Sequence, residues 1–138
     1  MNIWFRYMLT CLLWVSLMMP SLASELRKQI EHNISYFHFQ EAYPLISNLP
    51  KPAYRKFYEQ TIRIYQYLAT QDPDILNSLE DNWKPSVHLI EALPANDSLK
   101  HIFLSELHGK RAIIEFLSGN YFSTLAQVNA SRSALKKS

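Results

Sequence analysis

The sequence predicts an all-α fold, on three observations. Beyond the first two dozen residues apolar side chains recur at spacings of three and four, and no segment alternates cleanly enough to form a strand. The chain holds only two glycines, Gly109 and Gly119. Its 138 residues give room for one small domain and its core once a targeting segment is set aside.

The first element is a leader. One cation, Arg6, precedes the apolar run MLTCLLWVSLMM at 8–19, which is too short for the roughly 20 residues of a spanning helix. Pro20 then leads into Ser21 and Ala23, small residues at the −3 and −1 positions of a cleavage site. Residues 1–23 therefore read as a signal peptide, removed after Ala23. The mature chain is expected to be exported, periplasmic or secreted, without stable membrane insertion. Cys11 lies inside the apolar run with no lipobox before it. Without the leader no cysteine remains, which excludes a disulfide framework, a thiol nucleophile and a Cys-ligated zinc. Losing Arg6 from the 14 basic residues leaves 13 against 12 acidic ones, without a like-charge block, so nothing suggests a nucleic-acid partner. The basic ending SRSALKKS reads as cations complementing a helix dipole.

From Ser24, taken as an N-cap, Leu26, Ile30 and Ile34 share a helical face. A short second helix is expected through FQEAYPLISNL, with Pro44 near its first turn, where a missing N–H is tolerated. The two prolines of LPKPA end it. In the next helix Phe57, Thr61, Ile64 and Leu68 form one stripe, and Tyr54, Tyr58, Ile62 and Tyr65 a second beside it. An apolar arc that wide predicts neighbours on two sides. Asp72 with Pro73 opens a further helix, and Pro85 predicts a break or kink near Lys84, with Trp83 anchoring the corner. Asn96-Asp97-Ser98 starts the clearest helix, with Leu99, Phe103, Leu107, Ile114 and Leu117 toward the core. Gly109 falls mid-helix, where it costs about 1 kcal/mol relative to alanine; close packing beside Ala112 is the expected reason.

That helix must stop and reverse at FLSGNYFSTLA. Glycine takes a positive φ without steric cost, so Gly119 is the expected turn residue. Asn120 would cap the last helix, about 121–136, and Tyr121 would pack back into the cleft. Tyr121, Leu125, Val128 and Leu135 lie along that helix.

The stretch SGNYFSTLAQVNAS resembles the turn and second helix of a tetratricopeptide repeat. Aligned on Gly119 and Tyr121, the small positions fall on Ala112, Thr124 and Ser131, with Val128 between the last two. HFQEAYPLIS is a weaker echo, with Phe39 at the turn aromatic, then Ala42 and Ile46. The chain departs from the family in lacking the early Trp-Leu-Gly signal: His108, Arg111 and Ala112 stand there. The resemblance implies antiparallel helical hairpins over 24–138, stacked as a short α-solenoid; an unrelated helical bundle is the alternative. It also implies protein or peptide binding in a groove of inner helices, for which Tyr54, Tyr58 and Tyr65 are the candidates. Because each solenoid unit buries its face only against its neighbours, the last helix is expected to leave Leu125, Val128 and Leu135 for further repeats, another chain or self-association. The alternative function is that of a docked structural subunit of a cell-envelope complex, or the non-catalytic N-terminal part of a longer enzyme.

Catalytic chemistry finds little support. His88 and Glu91 have the i, i+3 spacing of a metal half-site, but no second half-site follows. His101, His108 and Glu115 are seven apart, neighbours thus ~10 Å from each other along a helix, too far for shared ligation. No nucleophile elbow or glycine-rich phosphate loop is present. The expectation is therefore no enzyme, no cofactor and no metal. Sequons occur at Asn33, Asn96 and Asn129, where chance would supply about one; with Asn33 and Asn129 inside predicted helices, they are read as coincidence.

Overall fold

The computed structural model describes residues 23–138, so the signal peptide expected over 1–23 lies, but for Ala23, outside the described residues. All regular structure among the described residues is helical. By contact the chain divides into one unit ending at Pro50 and another beginning at Lys51.

In the first unit α1 covers residues 23–35 and α2 spans Phe39–Ser47. Residue 23 is already helical, so Ser24 is not the N-cap. Ile30, Ile34, Ala42, Ile46 and Leu49 are buried, and Leu26 half-buried. Pro44 is the sixth residue of α2, not a first-turn residue. The carbonyl it leaves without an amide belongs to Gln40, and both residues are exposed, where water can replace the missing bond. The turn between the helices puts Phe37 at φ 60°. Its N–H donates to the Ile34 carbonyl (3.0 Å) and that of His38 to the Asn33 carbonyl (2.8 Å), so a non-glycine residue holds the left-handed position.

The second unit contains α3 (Pro52–Thr70), α4 (Pro73–Glu91), α5 (Lys100–Leu117) and α6 (Tyr121–Leu135). Pro52 and Pro73 sit in first turns, and the Asp72 carboxylate accepts the Asp74 N–H at 2.9 Å, as a start signal should. The first hairpin closes through Gln71, at φ 55°, whose N–H donates to the Tyr67 carbonyl. α3 packs against α4 and α5, and α5 also against α4. Both α3 stripes are therefore covered: Phe57, Thr61 and Ile64 on one, Tyr58 and Ile62 on the other. Phe103 of α5 is the aromatic centre, stacked on Phe57 at 3.8 Å and meeting Tyr54 and Tyr58 edge-on.

α4 runs unbroken through Pro85, so the break expected at Lys84 does not occur. Pro85 and the residue whose carbonyl it strands, Asp81, are both exposed, while Ser86, Val87 and Ile90 just beyond are buried. Packing of that last turn outweighs the lost hydrogen bond. Trp83 is consequently a mid-helix side chain, with the Arg111 guanidinium 5.4 Å from its ring.

Candidate functional site

The α5–α6 hairpin turns where the sequence places the turn. Gly119 has φ +75° and lies in open space, so its backbone angle alone requires glycine. Its N–H donates to the Phe116 carbonyl (3.0 Å) and that of Asn120 to the Glu115 carbonyl (2.9 Å), the pattern also found at Phe37 and His38. Asn120 holds the N-cap position of α6 without capping through its side chain. Its Nδ2 donates to Glu115 instead, at 3.1 Å, which ties the turn to the buried Arg111–Glu115 pair. The Arg111 Nε donates to Glu115 Oε1 at 2.8 Å, and an Arg111 Nη donates to Glu80 on α4. Burial pushes the Glu115 carboxyl up, but hydrogen bonds from Arg111 and Asn120 outweigh it and hold it below its ordinary value.

α6 rests on α5 through its small and polar side. Its sheltered residues are Ser123, Thr124, Gln127, Ala130, Ser131 and Ala134, an unbroken helical face without one large apolar side chain. The Ser131 hydroxyl donates to the Ser105 carbonyl (2.8 Å), and Gln127 Oε1 lies 2.6 Å from His108 Nδ1. A Cβ added to Gly109 would meet Ser131 Oγ at 3.5 Å, an ordinary contact. Gly109 is thus opposite Ser131, and close packing beside Ala112 does not explain it. Ala112 itself is buried, and Thr124 bonds to the Asn120 carbonyl.

The large apolar residues of α6 face outward. Phe122 is 93% exposed and Tyr121, Leu125, Val128 and Leu135 are exposed as well. Tyr121 does not enter the cleft between the helices: its ring meets the edge of Phe116 at 5.9 Å. Leu117, expected in the core, joins Phe116 and Ile113 on the exposed side of α5. From Phe116 to Ser131 no residue carries a charge. Leu125 is three residues from Phe122 and four from Tyr121, so these side chains adjoin along one face. Contiguous exposed apolar surface above a few hundred Å² is uncommon on soluble monomers. Sequence reasoning placed Leu125, Val128 and Leu135 on it but missed Phe122 and Phe116; the uncharged run was the available signal.

The groove tyrosines fare differently. Tyr58 is 1% exposed and belongs to the core, because α3 is flanked on two sides; it cannot meet a ligand. Tyr54 is half-buried, its hydroxyl within 2.9 Å of both Asp97 carboxylate oxygens, and Tyr65 is half-buried and has a partner. Asp97 also accepts from Lys51 Nζ (2.6 Å) and the Leu99 N–H (3.0 Å), pinning the loop before α5 to the start of α3. Burial raises the Asp97 carboxyl, yet the bonds from Lys51, Leu99 and Tyr54 outweigh it and leave it lowered.

His88 and Glu91 are both exposed, and His108 meets the Trp83 ring edge-on. Among the described residues no group of three His, Cys, Asp or Glu is placed to hold a metal, and no helix is long and apolar enough to cross a membrane. Comparison with known proteins finds no family model, no curated protein and no solved structure that matches this chain.

Proposed function

We propose that this chain acts by recognition and not by chemistry: it is an exported helical-repeat scaffold that docks onto another protein surface through the outer face of its last hairpin, as a structural subunit of a larger assembly. The observation that carries this reading is α6, which shelters its small polar side and presents Phe122, Tyr121 and Leu125 to solvent. A helix of that pattern has a favourable burial still to make. Burial of Tyr58 weighs against a peptide groove along α3. The tetratricopeptide-like reading draws support from the turns: the left-handed residues Phe37 and Gln71 stand 34 positions apart, the period of that repeat, and α5 packs on both helices of the preceding hairpin. The step from Gln71 to Gly119 is longer, the extra residues falling in α4 and the loop before α5.

Site-specific photo-crosslinking in the producing cell tests the docking face. A benzophenone amino acid at position 122 should form protein adducts, whereas one at the exposed Asp81 position on α4 should not. Absence of adducts from 122 would contradict the proposal.

A further inference from the structure

We infer that the partner seated on this face is a second copy of the same chain, an inference that rests on the docking face just described. Two properties of the surface favour self-pairing. The first is charge. A partner of different sequence is selected largely by complementary charges, which steer the encounter and penalise wrong surfaces. Between Phe116 and Ser131 the face offers none: Glu115 is buried against Arg111, and the exposed Arg132 lies beyond, toward the Leu135 end and away from the centre. A two-fold interface sets one patch against itself, so any charge near its centre would meet its own like across the axis. A neutral patch avoids that repulsion, and homodimer interfaces are the more apolar class.

The second property is extent. A wholly buried aromatic residue removes roughly 150–250 Å² from water; Phe122 can contribute nearly all of that, and Phe116 and Tyr121, at 57% and 63% exposed, somewhat over half. With Leu117, Leu125, Val128 and Leu135 beside them, the face reaches the order of the ~800 Å² per partner of a standard stable interface. Along α6 it extends about 20 Å from Tyr121 to Leu135, enough for two copies of the helix to lie side by side. Phe122 and Leu125 adjoin within this stripe, and pairing would bury both.

The test combines sedimentation of the full chain, as the cell processes it, with crosslinking from position 122. Wild type should sediment as a dimer in the micromolar range. Phe122→Asp and Leu125→Asp should weaken association by roughly 100-fold or more with the helical circular dichroism retained, because both side chains are exposed in the single chain. In cells, adducts should migrate at twice the chain mass. A monomer at all concentrations, with adducts to a different protein, overturns the second-copy assignment and leaves the docking face standing. A monomer with no adducts overturns both.

Discussion

Gly119 and Ser118 are adjacent and both exposed, yet only one is constrained. At φ +75° a β-branched residue is strained even where nothing would touch its Cβ. Gly119→Val should therefore cost roughly 1–3 kcal/mol, while Ser118→Ala should leave the denaturation midpoint unchanged. Equal midpoints for both variants would remove Gly119 from its role. Asp97 sets a second test at this scale. Its folded pKa lies below its ordinary value of 3.8, so its contribution is present above that pH and is lost as pH falls through the folded value. Asp97→Asn should be less stable than wild type by about 2 kcal/mol at neutral pH, and the gap should narrow below pH 3.8 in urea titrations across pH. A gap independent of pH would show that the carboxylate charge contributes nothing. Gly119 was legible in the sequence because a glycine-poor chain places one where φ demands it. Phe37 and Gln71 were not, since the same left-handed backbone state is imposed there by the hairpins against side-chain preference.

For single helices the informative contrast lies within α6. Ser131 is small, but it sits against Gly109 and bonds to Ser105, so Ser131→Leu should overpack the α5–α6 contact and cost roughly 1–3 kcal/mol. Leu125→Ala removes more apolar volume yet should change monomer stability by less than about 0.5 kcal/mol, because that side chain is exposed. Thermal melts of dilute protein measure both, and the reverse order would mean that α6 is rotated about its axis. Gly109→Ala should stabilise by about 0.5–1 kcal/mol, since the added methyl finds ordinary contact and the helix gains propensity; a loss on melting would contradict the contact geometry. The helix start at Asp72 could be read from sequence because aspartate and proline act locally there, whereas Pro52, read only as a break, is the first residue of α3. Pro85 misled because its local penalty is opposed by burial of Val87 and Ile90, a tertiary effect that no local pattern reports.

Across the whole chain, periodicity was enough for the helical class and for α3 as a helix flanked on two sides, because a doubled apolar stripe needs cover on both flanks. It did not say which stripe stays open. Residue type alone suits Tyr54 and Tyr58 to a groove, and only the placement of α5 and the loop before it shows Tyr58 covered and Tyr54 committed to Asp97. The candidate surface was half legible: the α6 stripe followed from spacing and Phe122 was within reach of it through the uncharged run, whereas the hairpin geometry is what brings the end of α5 beside them. Export has its own check at this scale. The recovered protein should begin at Ser24 by mass spectrometry, and an intact leader on exported chain would refute it.

The central claim is that the outer face of α6 is covered in the protein's working state. Hydroxyl-radical footprinting of Tyr121 and Phe122, in the native compartment and on dilute isolated chain, tests it most directly. Both rings should be oxidised readily in the dilute chain, as their exposure requires, and strongly protected in place, while exposed Tyr36 reacts alike in both. Equal oxidation of Tyr121 and Phe122 in the two settings would contradict the account.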